Sequence, residues 1–391
     1  MQQRLEFVLL AMKHEVSMAE LCRHFGISRQ TGYELVAHFK TEGLDGLKPH
    51  SRAPRRHPNA IAEEVCAAVV RAKAAHPHWG PKKLQPLLDE DVRIKLDWPV
   101  ASTRGAILAR AGLTVARRPA RAHVPARTQP FGSVGAANET WCADFKGWFR
   151  TADGVRCEPL TISDAHSRLL LRCQALPHGI HERYVRPIFE ATFREYGLPQ
   201  RLRTDNGSPF AHVGAGGLSK LAVWWIKLGI VPERIDPGRP SQNGRHERMH
   251  RTLEECTARP PAATLRAQQR RFDAFRREYN TERPHEALGQ QPPMCWYTPS
   301  PRSYPRRLEE PTYPDAAQVR RVRHNGEIRW SSGTIYISYV LVGEPVGIYE
   351  AADGWLVRYG PIDLGMLDPA QSRLRHAKRR SGTRHPRLDN A

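Results

Sequence analysis

Apolar positions along the chain change their spacing at successive points, and each change predicts a different kind of element. In SMAELCRHFGISRQTGYELVAHF, Leu21, Phe25 and Ile27, then Leu35, Val36 and Phe39, recur at helical spacing. They predict a helix over 18–25, a turn at Gly26-Ile27 and a second helix with Ser28 as N-cap, closed around one small core. After a basic, proline-bearing joint (48–58), an Ala/Val-rich helix is expected over 61–75, followed by short helices over 79–88 and 100–113. From 138 the spacing drops to that of strands, over 140–149, 153–164 and 167–176. A helix over 181–197, a strand over 201–204, a helix over 218–229, a strand over 230–236 and a helix after PGRPSQNG then alternate. Three strands followed by strand–helix alternation predict a mixed five-stranded sheet with helices on both faces. Between 318 and 368 short alternating segments return, and Asn325-Gly326 is a hairpin signal. A small all-β barrel is expected there.

The expected fold class is therefore multidomain. It has an all-α helix-turn-helix N-terminal region (1–50), a second helix-turn-helix-like unit (58–116) and a linker (117–137). An α/β core (138–300), a C-terminal barrel (318–368) and a basic tail without structure (369–391) follow.

Charge adds the partner. Sixty Lys and Arg stand against forty Asp and Glu, a formal net charge of +20. Such an excess attracts polyanions, so double-stranded DNA is the expected partner, with an anionic membrane surface a distant second. In a helix-turn-helix the second helix enters the major groove by its first residues, which makes Arg29, Gln30, Thr31 and Tyr33 the candidate DNA contacts. A plain helical hairpin is the alternative, and the basic balance weighs against it. Lys82, Lys83 and Arg104 in the second unit are candidates for phosphate. RRPARAHVPARTQP, with Arg117 and Arg118, reads either as a solvated linker or as a strap along the phosphate backbone. No stretch approaches a membrane span, FVLLAM is too short for a signal peptide's apolar region, and the seven cysteines include no Cys-x-x-Cys pair. A cytoplasmic, nucleoid-associated protein with reduced thiols is expected, without membrane contact.

Three acids stand out in the core. Asp144 interrupts an apolar and aromatic strand, where Asp is disfavoured. Asp205, in RTDNGSPF, stands at the end of the 201–204 strand, the side of an open α/β sheet where ligands bind. By itself Asp-Asn-Gly is ordinary turn chemistry. Glu247 occupies the first turn of the helix after PGRPSQNG. The three converge if the first and fourth strands are neighbours. Converging carboxylates repel unless cations neutralise them, and hard oxygen ligands suit Mg²⁺ or Mn²⁺. Two such ions about 3.5–4 Å apart serve phosphodiester cleavage or transfer.

WCADFKG with Asp144, RTDNGSPF with Asp205 and GRPSQNGRHERMHRTL with Glu247 resemble the three signatures of the integrase-type DDE insertion-sequence transposases. YNTERPHEALGQQPPMCWY (279–297) resembles the segment that closes that family's core. The resemblance implies a ribonuclease-H-like sheet and two divalent ions, Mg²⁺ or Mn²⁺, held by Asp144, Asp205 and Glu247. It also implies 3′-end cleavage at the ends of a mobile element, followed by direct strand transfer into target DNA. Joining two ends implies a homo-oligomer on DNA. One departure is the 41 residues between Asp205 and Glu247, more than the family's usual spacing, for which the Gly-rich HVGAGG (212–217) accounts as a loop insertion at the site's rim.

Rival acids have plainer readings: Asp164 and Asp153 as turn carboxylates, Glu254 as the partner of Arg251 or Arg248. Asn206, Asn243, Arg245 and Arg248, together with Ser241, Gln242 and His246, are candidate contacts to phosphate or the target strand. Trp224 and Trp225 read as core, and Arg283 and His285 as structural. A DNA-binding regulator with an inert core and a ribonuclease-H-like nuclease remain the alternative functions.

Overall fold

The computed structural model describes residues 2–48, 60–89, 98–114, 134–177, 180–235, 244–331, 333–352, 354–368 and 373–375. Arg117, Arg118, Asn243 and the side chain of Arg245 lie outside the described residues, as do Ser241, Gln242 and most of the 117–137 linker and the tail. The chain forms two compact units, Met1–Glu63 and Glu64–Ala391.

In the first unit, α1 (Gln2–Lys13) precedes the expected pair α2 (Met18–His24) and α3 (Arg29–Glu42). Ser28 caps α3 by accepting the Thr31 N–H at 3.1 Å. The core is not the α2–α3 set alone. Phe7, Val8 and Ala11 of α1 and Leu47 are buried with Leu21 and Cys22, while Phe25, Ile27, Leu35, Val36 and Phe39 are only partly covered. Gly32 lets α3 approach this core, since a Cβ there would lie 2.6 Å from the Cys22 sulfur.

The second unit opens with α4 (Glu63–Ala75), α5 (Gln85–Asp89) and α6 (Ala101–Arg110). The helix expected over 79–88 is confined to α5, because 81–84 form turns, from which Lys83 donates to Pro284 O and Leu84 is buried. Trp79, 1 % exposed, donates its Nε1–H to Glu278 Oε1 at 2.8 Å.

The core sheet contains β1 (Thr140–Phe145), β2 (Phe149–Arg150), β3 (Arg156–Asp164), β4 (Leu170–Leu176), β5 (Arg201–Thr204) and β6 (Val231–Arg234). Its five longer strands run β4-β3-β1-β5-β6, and two-residue β2 pairs β3 as a sixth. β3 is antiparallel to β1 and β4, whereas β5 is parallel to β1 and β6 to β5. This is a mixed, ribonuclease-H-like sheet. Helix α7 (Glu182–Tyr196) and helix α8 (Lys220–Lys227) supply Phe189, Phe193, Trp224 and Trp225 to one buried cluster with Trp141 and Leu202. Trp224 and Trp225 are core, as expected.

Helices α9 (Gly244–Thr257) and α10 (Leu265–Thr281) follow. Helix α10 is not among the expected elements, although Leu265, Phe272, Phe275 and Tyr279 recur at helical spacing and are covered in one cluster; its polar residues add a second role. β4 is an edge strand, and an edge leaves a row of unpaired N–H and C=O groups. Asn280 accepts the Leu170 N–H and donates to the Leu170 carbonyl, both at 2.9 Å. Gln269 does the same for Ala175 N–H (2.7 Å) and Cys173 O (2.9 Å), and Arg276 donates to Leu171 O at 2.6 Å. Side chains of α10 thus stand in for a missing neighbour strand.

The C-terminal part is all β, with β7 (Gln318–Arg321), β8 (Glu327–Trp330), β9 (Gly333–Tyr336), β10 (Pro345–Ala351), β11 (Gly354–Tyr359), β12 (Ile362–Asp368) and β13 (Arg373–Arg375). The order β7-β10-β11-β12-β13-β9-β8 makes a nearly closed barrel. The Asn325-Gly326 turn forms, yet β7 and β8 stand at opposite ends of the order instead of pairing as a hairpin. β13 falls within the tail expected to lack structure, because it fills the gap between β12 and β9. The barrel is also not a separate body: Val322, Ile328, Val346 and Tyr359 share the core's main cluster. Lys227 on α8 pairs with Glu344 at 2.8 Å. The HVGAGG segment packs against the barrel, since a Cβ on Gly216 would lie 2.9 Å from Leu364.

Asn280→Ala should lower the unfolding free energy by about 2–3 kcal/mol, because it strips partners from two backbone groups of the β4 edge. Urea unfolding of the two proteins side by side reads this, and an unchanged midpoint would deny the edge-covering role.

Candidate active site

Strand register brings the first two acids together. β1 pairs β5 in parallel through Thr140–Arg201, Trp141–Leu202 and Cys142–Arg203. Carried two residues further, that register sets Asp144 beside Asp205, on strands that neighbour one another at about 4.8 Å. Burial, then the charge of Asp205 and, less strongly, that of Glu247 push the Asp144 carboxyl up to about 7, against the backbone N–H of Phe145. Asp205 is also raised by burial, although the Gly207 N–H donates to its Oδ1 at 3.1 Å. The Asn-Gly turn therefore presents the acid, and Asn206 fixes the turn by donating to Ile235 O at 2.7 Å.

Glu247 is placed by its neighbours on α9. His246, Met249, His250, Leu253 and Thr257 are buried, a spacing that puts them on one face of the helix. Glu247, one residue along from His246, is exposed at the edge of that face. The face is seated on Thr161, fully buried on β3 and opposite Asp144 in register. Thr161 donates its one hydroxyl proton to the Asp144 carbonyl at 3.1 Å. It must then accept from His246 Nε2–H at 2.6 Å and His250 Nε2–H at 2.7 Å. His246 Nδ1 is left as an acceptor for the Ser163 hydroxyl at 3.4 Å. Burial keeps both rings well below the usual histidine range, and for His250 the neighbouring His246 and Lys146 lower it further. His246 is neutral, as its accepting Nδ1 requires, and burial favours the neutral ring at His250 as well. Lys146, just past β1, also holds α9 through Glu254 at 2.7 Å.

One hydroxyl thus joins the strand carrying Asp144 to the helix carrying Glu247. Nothing in the local pattern around Thr161, His246 or His250 announces this. The only available signal was two histidines four residues apart on the helix that bears Glu247.

The donor set fits a divalent ion of the Mg²⁺ or Mn²⁺ kind: carboxylates alone, two of them partly buried, with the other two charges opposing the ionisation of Asp144. Among the described residues no group of three or more His, Cys, Asp or Glu is gathered closely enough to hold a metal ion. Glu247 acts on Asp144 through charge, and the set is open.

Other expected residues separate clearly. Arg29, Gln30, Thr31 and Tyr33 are exposed at the start of α3, with Tyr33 59 % exposed. Arg104 is instead buried, donating to Pro81 O at 3.1 Å, Pro99 O at 2.7 Å and Gln85 Oε1. Three carbonyl-type acceptors in a closed site hold it away from any phosphate. Lys82 pairs with Glu286 at 3.0 Å, and Lys83, half-buried, donates to Pro284 O. His246 is a buried seat rather than a strand contact, and Arg248 is exposed beside Glu247. Asp164 is a turn carboxylate, accepting from Asn138 N–H (2.8 Å), His166 N–H (3.1 Å) and Ser167 N–H and hydroxyl (2.7 Å each). Asp153 accepts the Val155 N–H and Thr151 hydroxyl in its own turn. Glu254 pairs with Lys146 and Arg259 instead of Arg251 or Arg248, because Lys146 lies across from it on the sheet side.

Comparison with known proteins agrees with this architecture. Residues 228–293 match the integrase core domain, a span that includes Glu247 and Arg283 but not Asp144 or Asp205. Residues 3–55 match a helix-turn-helix domain and 31–103 a homeodomain-like domain. The chain is 31 % identical over 179 residues to an uncharacterized 31.7 kDa protein of insertion element IS407 from Burkholderia multivorans, covering 46 % of this chain and 62 % of that relative. It is 27 % identical over 249 residues to an uncharacterized 39.2 kDa protein of insertion element IS476 from Xanthomonas euvesicatoria, covering 62 % and 68 %. Among solved structures, the HTLV-2 integrase catalytic core in complex with magnesium aligns at a TM-score of 0.33 and 12 % identity, over 42 % of this chain and 98 % of that one. The chain is thus similar to proteins carried by insertion elements, and it matches helix-turn-helix domains in front and the integrase core domain behind.

Thr161→Val, nearly the same shape, should cost about 2–4 kcal/mol by leaving two imidazole N–H groups and a carbonyl without their partner, while Thr161→Ser should restore most of it. Urea unfolding decides, and equal stability of the Val variant would remove the joint.

Proposed function

We propose that this protein is a transposase that binds the ends of its mobile element, cleaves DNA at 3′ ends and transfers those ends to target DNA by direct transesterification. The observation that carries the reading is the register that sets Asp144 beside Asp205 on neighbouring parallel strands, with the charges of Asp205 and Glu247 both raising the Asp144 carboxyl. Asp144, Asp205 and Glu247 would hold the divalent ions, Mg²⁺ or Mn²⁺, taken as two. Bound there, such ions activate an attacking oxygen and stabilise the leaving oxygen at phosphorus.

The chain's own residues supply position and charge. Asp144 and Asp205 keep their carboxylates side by side at strand ends, and a cation lowers the cost of ionising both. Thr161, His246 and His250 hold α9 so that Glu247 faces that pair. Arg248 in the first turns of α9 and Asn206 in the turn after Asp205 would meet the DNA backbone, as would Asn243 and Arg245. Arg29, Gln30, Thr31 and Tyr33 would read bases or phosphates in the major groove at the element's ends. The surplus of Lys and Arg, with Arg117 and Arg118 in the linker, suits long duplex contact.

Joining two ends calls for at least two protomers, so assembly into a homo-oligomer on DNA is part of the proposal. No helix among the described residues is long and apolar enough to cross a membrane, and a nucleoid-associated setting follows from the DNA partner.

The test incubates purified protein with labelled DNA from the flanks of its own reading frame, a plasmid target and Mg²⁺ or Mn²⁺. Joined products that disappear with Asp205→Asn are expected. Metal-dependent cutting without joining would point to a nuclease, and specific binding with neither product to a regulator. Either result overturns the proposal.

A further inference from the structure

A second group of charges collects away from the acids, where the turns before α5 meet the segment after α10. Lys83 donates to the Pro284 carbonyl. Arg283 and His285, each 7 % exposed, flank that proline. Arg168, from the turn between β3 and β4, completes the group: its charge and that of Arg283 act on both Lys83 and His285. Opposing charge is scarce. Glu286 alone counters Lys83, and it is exposed and already paired with Lys82 at 3.0 Å. Glu278 takes the Trp79 Nε1–H at 2.8 Å and lies 3.8 Å from His76. Among the described residues neither Lys83 nor Arg283 forms an ion pair with a carboxylate.

His285 supplies an independent sign. One ring nitrogen is engaged with the Tyr279 backbone, and the ring stands edge-on to the Tyr279 ring at 4.7 Å. Its Nε2 is buried and has no hydrogen-bond partner among the described residues. A buried polar nitrogen without a partner, beside clustered cations, is costly unless a ligand completes the site. The crowding shows in titration: burial and the two arginines draw the Lys83 ammonium down to about 8, and burial with the three cations holds His285 down to about 3. A forked guanidinium with an ammonium beside it suits a tetrahedral oxyanion. The positive field also continues toward the acids, because Arg248, next to Glu247, acts on Tyr279 together with Arg283 and Arg168.

We propose that Lys83, Arg168, Arg283 and His285 form a phosphate site that grips one backbone phosphodiester of DNA lying along the core beside α9. The choice of DNA as the source of the phosphate rests on the function proposed above. On binding, His285 Nε2 gains a proton and a partner together, since a lone pair would repel the oxyanion.

The experiment uses the full chain carrying Asp205→Asn, with Arg283→Gln or Lys83→Gln added. Binding to duplex DNA is read across a salt series, and melting is read with and without inorganic phosphate. Neither readout requires strand transfer, so a core that does not cut DNA leaves the test intact. Each added substitution should weaken binding about tenfold whatever the sequence and reduce the salt slope by about one. Without DNA or phosphate the Arg283→Gln protein should melt no lower than its parent, because an uncompensated cation is gone. Inorganic phosphate should raise the parent's Tm and not the variant's. Unchanged affinity and slope would overturn the proposal. Unchanged DNA binding with a lost phosphate response would mean a free-anion site and would equally overturn it. A parent indifferent to phosphate, with variants that melt low, would make the cluster a structural one.

Discussion

The structure turns on one repulsion. Parallel pairing of β1 with β5 sets two half-buried carboxylates side by side at the ends of neighbouring strands, and a third acid stands close enough to be felt. Left to themselves, such groups would protonate or drift apart, since burial and like charge both oppose ionisation. A site that keeps them together stores that cost in its scaffold. Much of the surrounding architecture is intelligible as the means of holding them.

The nearest support is the Thr161 hydroxyl, whose single proton and two lone pairs are all used within the protein. It fixes the backbone of Asp144 and, through His246 and His250, the helix that presents Glu247. Further out, α10 closes the open edge of β4 with side-chain amides and a guanidinium, so the sheet ends without a frayed strand. On the other flank the barrel merges with the core, joined through the Lys227–Glu344 pair and the apolar cluster that both share. The barrel therefore buttresses the sheet as well as adding surface.

Legibility in the sequence follows the physics of each feature. Asp144 and Asp205 could be found because an acid inside an apolar strand, or just past one, breaks a local pattern. The core strands and the helix-turn-helix pair could be found because they depend on spacing and caps, whereas the strand order, with β1 beside β5, came only from the fold. Thr161, His246 and His250 could not, because their bonds are set by register between distant segments and their residue types are ordinary. Helix α10 could have been found from Leu265, Phe272, Phe275 and Tyr279 at helical spacing, but the bonds of Gln269, Arg276 and Asn280 to the β4 edge could not, because they join distant segments. Arg104 misled in the opposite sense. An arginine near lysines suggests phosphate, and only the folded chain reveals the prolyl carbonyls that enclose it.

That Asp144, Asp205 and Glu247 make one metal site is the claim on which the account rests. Replacing Mg²⁺ with Fe²⁺ and generating hydroxyl radicals at the bound ion, followed by peptide mapping, tests it at the residues themselves. Oxidation should cluster around positions 144, 205 and 247 together and fade as Mg²⁺ is added back. Oxidation elsewhere, or at the strand pair without the helix, or insensitive to Mg²⁺, would contradict it.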